Sequence, residues 1–279
     1  MASSSAPDQL TEHQRWTSAA PRYNEYIARC TLYGTSRLVH CVDEMSPLRN
    51  ESYAIDVGAG NGNLTVGIQK TNPLTRVLAV DISEGMLQEI DKLNLPNIIT
   101  QQQDAVTLSD LADHTFTHGF SSFTFPFVSD PHAAVRSLCR VVKPGGAIGI
   151  AMWGPVLDLT EIHNAACKRL RPDYTPARQD VPGSWREEAE HRHALESAGV
   201  KDVCIETVRM PFEAGDAKGC CEYWFRGGNP VPGKMVGDWV EHGWSARELE
   251  REYEKIVREE YGDGKRVFMD AVLGWGIKR

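Results

Sequence analysis

The sequence predicts an α/β fold built on a mostly parallel sheet, and three observations predict it. Short apolar runs alternate with segments of helical periodicity from residue 53 to residue 153. The first run, Tyr53 to Val57, breaks into the glycine loop of AIDVGAGNG, Ala54 to Gly62. The second run ends on Asp81 and the third delivers Asp104, so acids stand at successive strand ends. Alternation of this kind implies right-handed crossovers that lay helices on the faces of the sheet.

Each element has its own signal. Tyr23, Tyr26, Ile27, Leu32, Leu38 and Val39 recur at helical spacing, so one or two helices are expected between Ala20 and Asp43. After the glycine loop, Leu64 to Gln69 continues as a helix that Asn72-Pro73 closes. Arg76 to Asp81 is a buried strand, and Ser83 caps the helix that follows. Asn97 to Gln102 reads as the third strand and Phe116 to Phe123 as the fourth. Asp130-Pro131 supplies a cap and a first-turn proline for a helix reaching Val142. Lys143-Pro-Gly-Gly146 reads as a turn into a fifth strand, Ala147 to Trp153. Beyond it, Gly154 to Ser184 and Pro211 to Gly243 are rich in proline, glycine and aromatics and read as insertions. Between and after them come a helix from Trp185 to Ala198, a strand from Val203 to Met210, a charged helix from Ser245 to Tyr261 and a last strand from Val267 to Ile277.

Composition narrows the function classes. A chain of 279 residues, 41% hydrophobic and 24% charged, can bury a large core. Its net charge of −8, with no basic patch, is expected to repel nucleic acid. No apolar run approaches the ~20 residues that cross a bilayer, so no membrane association is expected. Residues 1–15 lack the apolar core of a signal peptide and read as a disordered tail, which predicts a cytoplasmic protein. The seven cysteines show no CxxC spacing and are expected to be reduced; the vicinal Cys220-Cys221 reads as two unrelated thiols. His191 and His193 lie in a charged helix with no third ligand nearby, so no metal is expected.

The glycine loop fails two phosphate-binding patterns. In the G-x-G-x-x-G frame, Gly58 would need glycine at Asn63 and Gly60 would need it at Thr65; no lysine follows for a P-loop. What remains is an acid followed by alternate glycines: Asp56, Gly58, Gly60, Gly62. Glycine lets backbone approach a ligand closely, the helix start favours a carboxylate, and Asp56 can accept from an ammonium. An amino-acid-like group therefore suits this loop. Asp81 can take both hydroxyls of a ribose, in a dinucleotide or in another nucleoside. Asp104 and the Ala105 N–H can meet an adenine, with Ile82 and Met86 on its faces.

Together the motifs AIDVGAGNG, LAVDIS, QQQDA and FVSDPHAAVRSLCRVVKPGGAIGIAMW resemble the class I S-adenosylmethionine-dependent methyltransferases from about Trp16 to Trp153. Within that family the spacing looks most like fungal small-molecule enzymes of the gliotoxin bis-thiomethyltransferase type. The resemblance implies a Rossmann-like seven-stranded sheet ordered 3-2-1-4-5-7-6, with the last strand antiparallel and Val267 to Ile277 seated between strands five and six. It implies one domain over 1–279, with residues 16–45 as a helical lid and 154–184 and 211–262 as caps over the substrate. The implied cofactor is S-adenosyl-L-methionine, leaving as S-adenosyl-L-homocysteine, held by Tyr23, Asp56, Gly58, Ala59, Gly60, Asp81, Ile82, Met86, Asp104, Ala105 and Phe123. The implied partner is an apolar small-molecule acceptor, methylated at sulfur or oxygen by a monomer or homodimer. Trp16, Phe125, Phe127, Trp153, Trp224 and Phe225 are the expected substrate contacts, and Tyr23 and His163 the candidates for catalysis. His118 and His132 read as structural. A thiol acceptor needs no base, whereas an alcohol or carbon acid does, and C-methylation or a non-methylating rearrangement on the same fold stays open.

Overall fold

The computed structural model describes Gln14, Trp16, Thr17, residues 27–176 and residues 185–279. Seven strands form one sheet in the order β3-β2-β1-β4-β5-β7-β6. They are β1 (Tyr53–Val57), β2 (Arg76–Asp81), β3 (Ile98–Gln102), β4 (Phe116–Ser122), β5 (Val142–Leu157), β6 (Val200–Pro211) and β7 (Phe268–Lys278). The first five pair in parallel, and β7 runs antiparallel to both β5 and β6. The expected order and the reversed last strand are both present.

Helices cover the two faces, which is why the central strands are continuous apolar runs rather than alternating ones. Alternate residues still sort between two cores. Ala54, Phe120, Ala147, Ala151 and Leu273 face one side, while Ile55, Val57, Ile148, Ile150 and Met152 face the other. On the first face lie α1 (Ile27–Met45) and α2 (Asn63–Thr71), with Leu38, Val39 and Ile68 buried against the sheet. On the second lie α4 (Pro131–Val141) and α6 (Glu188–Ser197), through Val135, Leu138 and Leu195. The intervening helix α3 (Glu84–Asp91) is capped by Ser83, whose Oγ accepts from the Met86 N–H at 3.2 Å. Asp130 caps α4 in the same way, its Oδ1 accepting from the Ala133 N–H at 2.9 Å.

The carboxyl-terminal part of the chain departs from the sequence reading. The two proline- and glycine-rich segments contain the helices α5 (Asp158–Leu170), α7 (Ala217–Arg226) and α8 (Pro230–Glu241). With α9 (Ala246–Glu260) they bury Trp224, Trp239 and Tyr253 in the first core. Proline at N1 of α8 is compatible with a helix start, and Asn229 Oδ1 accepts from the Val231 N–H at 2.9 Å. Strand β5 starts at Val142, so the Lys143-Pro-Gly-Gly turn lies inside it as an irregularity: Phe116 pairs Val142 and His118 pairs Ala147. Gly145, at φ +79°, absorbs the extra backbone.

Candidate functional site

The carboxyl ends of β1 to β4 converge on a cavity of about 290 Å³. Its floor is the glycine loop. The N–H groups of Gly58 and Ala59 donate to the Val80 carbonyl at 2.8 and 2.9 Å, pinning the loop to β2. Gly58, Gly60 and Gly62 sit at φ +71°, +53° and +89°, where other residues are strained. A Cβ on Gly58 would lie 2.1 Å from Thr124 Cγ2, whereas one on Gly60 would meet nothing within 4 Å. Gly58 is thus required by the fold, and Gly60 leaves bare backbone facing the cavity.

Three carboxylates line this cavity: Asp56, Asp81 and Asp104. Asp56 is fully buried; its Oδ2 accepts from Thr65 Oγ1 at 2.7 Å, and its Oδ1 has no hydrogen-bond partner among the described residues. Burial raises its pKa to about 7, with the neighbouring Asp81 charge pushing the same way and the Thr65 hydrogen bond opposing both. Asp81 is fixed by backbone, Oδ2 accepting from Gly60 N at 2.9 Å and Oδ1 from Ser83 N at 2.8 Å. A carboxylate has about four acceptor positions, so further donors can still be accommodated. Asp104 is exposed and caps its own turn, accepting from Val106 N at 2.8 Å, while Ala105 beside it is buried. Ile82 and Met86 line the same wall, the first 43% exposed and the second buried. No Lys, Arg or His lines the cavity among the described residues.

Trp16 lines the cavity and meets Phe127 edge-on at 5.2 Å, and Thr17 Oγ1 lies 3.0 Å from Ser83 Oγ. Helix α1 is tied down from the loop: Asn63 Nδ2 donates to the Ala28 carbonyl at 2.6 Å and lies 3.2 Å from Thr31 Oγ1. Several lining residues carry no sequence signal. Thr124 Oγ1 donates to the Gly58 carbonyl at 2.9 Å, and buried Gln103 is held by Asp110 at 2.9 Å. Asn63, Thr31 and Ser122 also line the wall. Such short polar residues have no periodicity to betray them.

Phe127 also lines a second, smaller cavity of about 60 Å³. Trp153 and Trp224 are in its wall, with Leu157 and Met269. Phe123, held at φ +56°, lines the first cavity and packs on Trp153 with ring centroids 4.5 Å apart. The structure separates other expected residues from both cavities. Phe125 is fully buried in the second core, where the turn after β4 directs it inward. Phe225 lies on the far side of α7, edge-on to Tyr253 at 5.5 Å. His163 is buried, its Nδ1 accepting from Trp224 Nε1 at 2.9 Å, and burial lowers its pKa to about 4. It braces a wall rather than facing either space. Tyr23 lies outside the described residues. His118 is also buried, between Thr117 Oγ1 at 2.8 Å and the Ser46 carbonyl at 3.0 Å.

A sheet in this order, with a cavity across its first four strand ends, defines the Rossmann-like methyltransferase fold. Residues 55–150 match the family described as a methyltransferase domain. The chain is 22% identical to the methyltransferase ucsB of Acremonium sp. over 223 residues, 74% of this chain and 76% of that protein. It is 30% identical over 138 residues to the ubiquinone/menaquinone biosynthesis C-methyltransferase UbiE of Saccharophagus degradans, covering 47% of this chain and 53% of the relative. The chain therefore spans about half the length of that relative. Among solved structures, the methyltransferase partner in the complex with the Haloferax volcanii Trm112 methyltransferase activator superposes with a TM-score of 0.58 at 18% identity, over 96% of this chain and 97% of that one.

Proposed function

We propose that the protein transfers a methyl group from S-adenosyl-L-methionine to an apolar small-molecule acceptor, at sulfur or oxygen. The observation that carries this reading is the charge of the first cavity: three carboxylates and no cation among the described residues. Such a lining repels a pyrophosphate and favours a ligand bearing ammonium and sulfonium charge. The residues suit that cofactor in two further ways. Asp56 Oδ1 and Ser122 Oγ are buried polar atoms without partners among the described residues, and both residues line the cavity. The bare backbone at Gly60 allows close approach.

When bound, the cofactor supplies a methyl group already activated on a positive sulfur. Asp81 would accept from the ribose hydroxyls, Asp104 and Ala105 would meet the adenine, and Asp56 would face the amino-acid end. Trp16, Phe123 and Phe127 exclude water and offer π-faces to a cation. Phe127 belongs to both cavities, so the acceptor is read into the second one, against Trp153 and Trp224. No Asp, Glu or His lines that second cavity among the described residues. Alignment and desolvation with little base assistance is therefore the mechanism we favour. We take the protein to act in the cytoplasm as a monomer or homodimer.

A second reading, C-methylation, is favoured by the similarity to UbiE. A rearrangement on the same fold would add no methyl, so product mass separates the readings. The primary test is calorimetric titration with S-adenosyl-L-homocysteine and, in parallel, with NAD. Saturable binding of the former alone is expected, and binding of NAD alone would overturn the assignment.

A further inference from the structure

We infer that the acceptor carries a neutral carbonyl group, held by the Thr160 hydroxyl at the start of α5. The inference rests on the methyl-transfer reading and names the group by which the second cavity selects its acceptor. The wall there is mostly apolar, with Trp153, Trp224 and Met269 in it. Thr160 interrupts it: the residue is only 5% exposed, and its Oγ1 has no hydrogen-bond partner among the described residues. A threonine in a helix can donate to the carbonyl three or four residues back, as Thr31 does to Ala28 at 3.2 Å and Thr35 to Thr31 at 3.1 Å. Thr160 is the third residue of α5, so the positions behind it, Val156 and Leu157, belong to β5 and not to the helix. A buried hydroxyl left in that state costs free energy until something pairs with it.

The start of α5 favours an accepting atom in the same place. Its cap residue is Leu157, which has no polar side chain, and no side chain caps the first turn among the described residues. Leu157, Leu159 and Thr160 all line the cavity, so this donor-rich end of the helix opens onto it. The charge of the ligand group follows from the same turn. Asp158, which is buried, and Glu161 already stand there and offset the positive end of the helix dipole. A carboxylate would meet like charge at that point, and a carbonyl would not. The other polar liners have partners of their own. Asn229 Oδ1 accepts from Val231 N at 2.9 Å, its Nδ2 donates to the Tyr223 hydroxyl at 3.1 Å, and Arg186 and Tyr223 are engaged as well. Thr160 lines the second cavity and not the first, whereas Phe127 lines both. The carbonyl is therefore read at a point apart from the atom that receives the methyl.

The test uses single-ring thiols, 4-mercaptoacetophenone, 4-isopropylthiophenol and 4-mercaptobenzoate, titrated by calorimetry into protein saturated with S-adenosyl-L-homocysteine. The ketone is expected to bind about tenfold tighter than the isopropyl analogue of the same size, and tighter than the acid. Thr160→Val, which keeps the shape, should cut the ketone's advantage over the isopropyl compound at least about threefold, and Thr160→Ser should keep it. Comparing the ratios between proteins cancels differences intrinsic to the probes. Thermal denaturation of the unliganded protein gives a second readout: a hydroxyl left for a ligand makes Thr160→Val as stable as the parent or more so. A lower melting temperature would mean that the hydroxyl serves the fold, and would overturn the inference. So would a ketone advantage that survives Thr160→Val, tighter binding of the acid, or no binding by the ketone. S-adenosyl-L-homocysteine is also titrated alone. Its failure to bind sinks the cofactor reading and this inference with it, whereas its binding without a Thr160-dependent preference sinks only the carbonyl acceptor.

Discussion

Asp56 and Asp81 occupy equivalent strand ends yet do different work. Asp81 is only partly buried and shapes the loop through Gly60 N and Ser83 N. Asp81→Ala is expected to weaken S-adenosyl-L-homocysteine by ~1.5–3 kcal/mol, the cost of charge-assisted hydrogen bonds. Calorimetry reads this directly, and unchanged affinity would remove Asp81 from the ribose role. The two glycines before it should part company. Gly58→Ala, with its Cβ 2.1 Å from Thr124, should lower the melting temperature sharply. Gly60→Ala should cost only the ~1–2 kcal/mol of a left-handed backbone while weakening the cofactor more. Thermal denaturation with and without S-adenosyl-L-homocysteine separates the two effects. At this scale the sequence is legible where chemistry is tied to spacing: an acid two residues before glycine, acids closing apolar runs. It is illegible at Thr124, Gln103 and Thr31, since a polar side chain that reaches the cavity only through tertiary packing leaves no pattern in the chain. His163 is the converse case: a chemically apt residue in an apt segment whose ring is spent on Trp224.

The helices announce themselves mostly by their ends. Ser83, Asp130, Asp216 and Ser245 each accept from a backbone N–H in the first turn of the helix that follows. Asp130→Ala should cost ~1 kcal/mol, visible as a small shift of the chemical denaturation midpoint. No shift would mean that burial of Leu138 and Val135 alone holds α4 in place. Helices α5, α7 and α8 lie in segments whose proline and glycine content reads as insertion, because both residues are weak helix formers. Pro230 stands at a helix start, where its missing N–H costs nothing, and tertiary burial of Trp224 and Trp239 outweighs the weak propensity of their neighbours. Periodicity succeeded where both helix faces were plain, as in α9 with Leu249, Tyr253, Ile256 and Val257 on its buried side.

Across the whole molecule, buried titratable groups set opposing dependences on pH. Burial lowers His163 from its ordinary 6.5 to about 4 and His191 to about 3. Folding then favours the neutral rings, so stability is intact above 6.5 and declines as the pH falls from there toward 4. Asp56 acts with the opposite sign. Its folded pKa is raised from 3.8 to about 7, so burying it costs stability that appears as the pH rises between those values. The two histidine shifts together exceed the one aspartate shift, and the protein is expected to melt at lower temperature at pH 5 than at pH 7. Asp56→Asn should steepen that loss on acidification by removing the opposing contribution. A flat or reversed profile in differential scanning calorimetry would contradict the burial of the two rings. At a hundredfold excess over its dissociation constant, S-adenosyl-L-homocysteine should add ~2.7 kcal/mol of stability. The alternation of strands and helices is readable from residue 53 to residue 153, but strand order is not. It came from likeness to a family, because pairing partners more than a hundred residues apart leave no local mark.

The reversed strand β7 makes assembly of this sheet depend on its latest segment. Strand β6 lies at the sheet margin with β7 as its neighbour, and β5 also gives β7 its outer edge. While a ribosome is still short of residue 268, the edges of β5 and β6 that β7 will cover wait unpaired. Synthesis therefore carries a vulnerable interval, in which open edges invite pairing with other chains. A chain interrupted before Phe268 should be captured by chaperones or aggregate, even though every residue lining the first cavity precedes that point.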